Sequence, residues 1–164
     1  MGERERERAF MLGVILKRIG NLKIGTFEGR LVLQKSIYLL QSFGFYLGYK
    51  FSWYIHGPYS PELTRDAFRL QSIYAEIPEV KFTDPEIEKC LIDFKKFLGN
   101  KDYDADWLEQ LACTHFLKAL DPKADRKTIV QAVLGHEHHF ERKECEEAWD
   151  YLKQKNLIEK EKCS

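Results

Sequence analysis

His136-Glu137-His138-His139 puts three imidazoles and a carboxylate into four consecutive residues, directly after Gly135. Imidazoles three apart can share one side of a helical turn, and Cys145 follows closely, so zinc ligation is one chemistry these residue types allow. The spacing is not H-E-x-x-H, which needs two histidines four apart on one helix face with the glutamate placed as base. Following Gly135, the run reads instead as a solvated polar loop between helices. No metal is expected there, and no cofactor is expected anywhere in the chain.

The remaining histidines invite similar tests. His115 falls four residues after Leu111 and seven after Leu108, on the apolar face of a helix. A lone histidine in that position is a core residue with a satisfied ring nitrogen. Cys113 is two residues away and points elsewhere, so the two do not form a dyad. His56 and Ser60 flank a Gly-Pro step, and Ser60 is better used as a helix cap than as a nucleophile. The nucleophile elbow, the P-loop and the dinucleotide fingerprint are all absent. No catalytic residue is expected.

A different surface carries the binding candidates. Tyr54, His56, Tyr59, Arg65 and Arg69 surround the GPYS step, with the two arginines four apart on the helix that follows. Tyrosine and arginine are common anchors of protein interfaces. These five residues are the expected binding surface.

The elements that position this surface are legible. From Leu33, the stripe Leu33, Ile37, Leu40, Gly44 has helical period, and Val32, Ser36, Leu39, Phe43 run beside it. Gln34, Tyr38 and Gln41 supply the more polar edge. A helix apolar over most of its circumference is buried on several sides and central to its domain. Lys35 interrupts it, with a stem long enough to carry the ammonium to water. Thr26 caps this helix. In Phe51-Ser52-Trp53-Tyr54-Ile55-His56, alternation predicts a strand with Phe51, Trp53 and Ile55 inward and Tyr54 and His56 outward. Gly57-Pro58 should end it, because proline removes a ladder donor. Ser60-Pro61-Glu62 then starts a helix to Ser72, with Ser60 as N-cap and Pro61 at the first position.

The runs LQKSIYLL and WYIHGPYSPEL resemble the YwgA-like family of small uncharacterised bacterial and archaeal proteins. They are more distantly similar to the Panacea (SocA-like) antitoxin domain, in which a related helix precedes a Gly-Pro turn. Trp107-Leu108-Glu109 to Phe116-Leu117 is similar to the family's later helix, and together these segments cover about two thirds of the chain. The first resemblance brings no established activity. The second implies a domain that neutralises a toxin by direct binding, or an adaptor that delivers it for degradation.

The rest of the chain is consistent with one domain over residues 1–164. Helices are predicted over 5–19, from Asp84-Pro85 to Leu98, from Asp104 or Asp106 to Leu120, and over Arg126–Leu134 and Glu141–Gln154. Pro78 demotes Ile73–Thr83 to an edge strand or loop, and Asn156–Lys160 is a candidate final strand. The expected fold is mainly α: a multi-helix single domain with a small β-hairpin or short sheet, and a winged-helix-like arrangement is one form it can take.

Lysine plus arginine and aspartate plus glutamate number 26 each, so net charge gives no general attraction to nucleic acid or anionic membrane. Cysteines at 90, 113, 145 and 163 form no C-x-x-C pair and read as reduced thiols. The N-terminal GERERERAF mixes Glu with Arg, unlike the positive region of a signal peptide. A cytoplasmic protein with no membrane association is expected.

Two function classes follow. The first is a non-catalytic protein-interaction domain, antitoxin-like or adaptor-like, with a protein partner. The second is a winged-helix DNA-binding regulator, in which the helix before the wing enters the major groove. That helix would carry Glu141, Glu144, Glu146, Glu147 and Asp150. Phosphate binding favours a basic face, so nucleic acid is the less favoured partner. An enzyme is the least supported class.

Overall fold

The structure, a computed structural model, describes residues 2–20, 22–99 and 104–158. Seven helices and one two-stranded antiparallel sheet make up the regular structure of the described residues. They run α1 (Glu3–Ile19), α2 (Phe27–Phe43), β1 (Ser52–Tyr54), β2 (Gly57–Tyr59), α3 (Pro61–Leu70), α4 (Pro85–Leu98), α5 (Ala105–Leu120), α6 (Arg126–His136) and α7 (Arg142–Gln154). The mainly-α fold with a small hairpin is therefore observed. No helix among the described residues is long and apolar enough to cross a membrane.

Two helices share the centre. Every residue from Leu33 to Leu40 of α2 is buried, and so is every residue from Leu108 to Thr114 of α5. They pack on each other; α6, α7 and β2 also pack on α5, while α3 packs on α1. The sequence identified α2 as central and not α5. Glu109, Gln110 and Thr114 make α5 look amphipathic, yet all three are buried.

The polar edge of α2 faces protein, not water. Gln34, at 3% exposure, donates to the Ser60 carbonyl at 2.8 Å and accepts from the Ser60 N–H at 2.9 Å. Buried amides require such partners, and this pair fixes the start of α3 against α2. Gln41 does the same for the preceding loop, accepting from the N–H groups of Leu47 and Tyr49. At Ser60 the N-cap is formed as expected, with the hydroxyl accepting from Leu63 N–H and Pro61 following.

The hairpin differs from its sequence reading. Gly57-Pro58 does not terminate a lone strand; it forms the second strand, with Trp53 opposite Pro58 and Tyr54 opposite Gly57. The turn is Ile55-His56. Proline fits here because the two-stranded sheet leaves half its donors unpaired. Gly57 has φ +90° and lies against α5, where a Cβ would come within 2.4 Å of Cys113 Sγ. Only glycine suits both conditions.

Residues 77–83 form a loop after a short 3₁₀ turn, Tyr74–Glu76. Asn156, Leu157 and Ile158 form no strand, and Glu159 and Lys160 lie outside the described residues. The hairpin precedes α3, so a wing following α7 is not present among the described residues. Cys90, Cys113 and Cys145 are free thiols, and Cys163 is outside the described residues.

Candidate functional site

The turn at Ile55-His56 reorients the side chains that simple alternation had placed. Ile55, expected inward, is 68% exposed at the hairpin tip. His56, expected outward, swings toward α5, with Nδ1 at 3.1 Å from Glu109 Oε1. Alternation holds only while the strand continues, and the strand stops at Tyr54.

Two adjoining clefts meet at His56, whose ring packs edge-on against Phe27 at 5.1 Å between centroids. The first, about 330 Å³, lies between the hairpin, α2 and the outer face of α3. Phe27, Tyr54, Ile55 and Phe68 line it, all exposed by half or more. Tyr59 closes one side, its ring 5.5 Å from Tyr54 and its hydroxyl 3.0 Å from Thr64 Oγ1. Lys35 lies at the floor. Its stem does not reach water: the residue is 2% exposed and Nζ donates to the Pro58 carbonyl at 2.7 Å. Burial pulls its pKa below the ordinary lysine value, while Cys113, Glu109 and Glu137 act to raise it.

The second cleft, about 340 Å³, is lined by Phe27, His56, Asp106, Glu109 and His139. Glu109 stands in its wall, and behind the lining a Glu137 carboxylate oxygen lies within 4.8 Å of one of Glu109. Glu109 is 2% exposed and Glu137 3%. Burial, reinforced by the charge of Glu137, pushes the Glu109 carboxyl up to about 8, and Lys35 offsets this in part. Burial likewise raises Glu137 above the usual carboxylate range, against the pull of His56, His139 and Lys35. Glu137 also caps the C-terminus of α6, the negative end of the helix dipole, where a carboxylate is disfavoured. Its Oε1 is buried with no hydrogen-bond partner.

Of the five surface residues expected from sequence, the structure gathers Tyr54, His56 and Tyr59 around the first cleft. Arg65 and Arg69 are exposed on α3 outside its lining, and Arg69 is engaged with Asp66 at 3.0 Å. The polar run after Gly135 divides. His136, His138 and His139 are exposed, with His136 against the Trp53 ring at 4.8 Å, whereas Glu137 turns inward. His115 is half-buried at the edge of the core, with Tyr38 Oη 2.7 Å from its Nδ1, and burial lowers its pKa.

Sequence reasoning missed Glu109. Asp106, Glu109 and Cys113 recur at helical spacing toward the hairpin, but the intervening Leu108, Leu111 and Ala112 marked the segment as ordinary core. The chain matches no family model, no curated protein and no solved structure.

Proposed function

We propose that this chain is a protein-interaction domain that receives an apolar segment of a protein partner in the cleft between the hairpin and α3. One observation carries the reading: Phe27, Tyr54, Ile55 and Phe68, at 58%, 59%, 68% and 52% exposure, surround a single cleft. Contiguous exposed apolar surface of this kind marks interaction sites, and single scattered apolar residues do not. The arginines outside the cleft supply a polar rim, the usual surround of an apolar hot spot. An antitoxin-like or adaptor-like role is the form suggested by the resemblance of LQKSIYLL and WYIHGPYSPEL.

The rival reading, a DNA-binding regulator, draws less support. Arg126 is held by Glu146 at 3.1 Å and Asp150 at 2.8 Å, so this guanidinium is committed to carboxylates of α7 and not left for a phosphate. Affinity capture from native extract, with and without nuclease, tests the choice, using wild type and an Ile55→Asp/Phe68→Asp double variant of unchanged circular dichroism. The proposal expects a stoichiometric protein that survives nuclease and is lost by the variant. Retention of that protein by the variant refutes the cleft. Recovery of duplex DNA alone, with affinity falling by about three to five decades between 50 and 200 mM salt, favours the regulator.

A further inference from the structure

We propose that His56, Glu109 and Glu137 form a binding site for a divalent first-row transition-metal ion, with His139 and Asp106 at its mouth. One ligand atom from each of the three residues lies within 4.8 Å of the others. They come from three separate places: the hairpin turn, the middle of α5 and the end of α6. His56 Nδ1 and Glu109 Oε1 are 3.1 Å apart, and His139 Nε2 is 3.3 Å from Glu109 Oε2. Two ligands bound tetrahedrally to one zinc-like ion at about 2.0–2.2 Å are themselves separated by about 3.3–3.6 Å. The His139–Glu109 pair already stands at that spacing, and the His56–Glu109 pair would open by a few tenths of an ångström.

The independent sign of a missing ligand is Glu137 Oε1. It belongs to a residue 3% exposed and has no hydrogen-bond partner. A buried carboxylate oxygen left without a partner is costly, and the same residue stands at the negative end of α6. Lys35 is the nearby buried cation, but its Nζ is directed to the Pro58 carbonyl. A cation between Glu109 and Glu137 would neutralise both.

Donor chemistry narrows the ion. Imidazole with carboxylate suits zinc, manganese, iron, cobalt or nickel, whereas calcium and magnesium prefer all-oxygen sets. The second cleft opens a route from solvent past Asp106 and His139, which are exposed. Cys145, the thiol nearest in sequence to the histidine run, joins neither group of potential ligands. This site departs from the sequence expectation of no metal, and it draws on His56, which is 80 residues before His136 by their numbers.

The test uses tag-free full-length protein, stripped with chelator and titrated with Co²⁺ and then Zn²⁺. The proposal expects one equivalent of Co²⁺, visible d–d absorption, displacement by Zn²⁺, and a raised thermal midpoint. Paramagnetic Co²⁺ should shift the ring protons of His56 and His139 and leave those of His138 near their diamagnetic positions, a readout that needs no variant. Glu137→Gln and His56→Ala should each lower affinity at least about tenfold, while His138→Ala should bind as wild type. No stoichiometric uptake at micromolar metal overturns the proposal, because the two imidazoles then serve the carboxylates alone. Uptake centred on His136 and His138, or unchanged in Glu137→Gln, overturns it equally.

Discussion

Asp66 and Glu109 are both carboxylates buried in the interior, and their surroundings treat them in opposite ways. Asp66, fully buried, accepts from Arg8 Nε at 2.8 Å, Tyr49 Oη at 2.7 Å and Arg69 at 3.0 Å. Two guanidinium groups and a phenol tie α1, α3 and the loop before β1 to one point. Hydrogen bonding to Asp66 raises the Arg8 pKa, the sign of an ion pair held together in the folded state. Glu109 faces a second carboxylate, two partly exposed imidazoles and a lysine committed elsewhere. One region is saturated with partners and explains architecture. The other keeps unspent electrostatic capacity, and that capacity is where binding chemistry belongs.

The largest break in this comparison should come at the saturated end. Asp66→Ala leaves two guanidinium groups and the Tyr49 hydroxyl without their acceptor, and should cost about 3–5 kcal/mol in urea unfolding. A loss no greater than that of an ordinary surface change would remove the contrast.

The unsaturated end makes a prediction in pH. With its carboxyl pushed up to about 8 from 4.5, Glu109 holds a proton in the folded state that the unfolded chain has released. In metal-free buffer, stability should therefore fall as pH rises from about 4.5 to about 8. Glu109→Gln should flatten that slope, measured by denaturation at several pH values. An unchanged slope would place the titrating group elsewhere.

Gly57 tests how the hairpin delivers His56 to Glu109. Gly57→Ala meets both a positive φ and Cys113 Sγ, and should cost about 1–3 kcal/mol while displacing the His56 ring signals in NMR. At the small end, Ile55→Ser should change stability by no more than about 0.5 kcal/mol, because the side chain is 68% exposed, yet weaken partner capture. A large thermal shift would make Ile55 structural and sharpen the boundary between scaffold and surface.

Much of the scaffold was legible because its signals are local. Thr26, Ser60, Asp84 and Asp104 each accept a hydrogen bond as N-caps, and the apolar breadth of α2 announced its burial. The site was legible only in part. Tyr54 followed from strand alternation and Tyr59 from its place in the GPYS step, but a two-residue turn at Ile55-His56 reversed the directions of Ile55 and His56, and proline in a short edge strand looked like a stop. Glu109 and Glu137 were hidden because their meaning lies in each other, 28 positions apart by number. Nothing in either local sequence distinguishes a solvated glutamate from one folded inward. Lys35 was misjudged for a similar reason: its acceptor, the Pro58 carbonyl, exists only once the hairpin folds over α2.

The most direct measurement compares Asp66→Asn with Glu137→Gln by equilibrium denaturation in chelated buffer at neutral pH. Removing a charge that has partners should destabilise the first variant by several kcal/mol. Removing a charge whose Oε1 has no hydrogen-bond partner, and whose Oε2 has only His139 Nδ1 at 3.8 Å, should leave the second as stable as wild type, or more so. Equal destabilisation of the two would mean that Glu137 is as well satisfied as Asp66, and the division of this molecule into a saturated scaffold and an unsaturated site would fail.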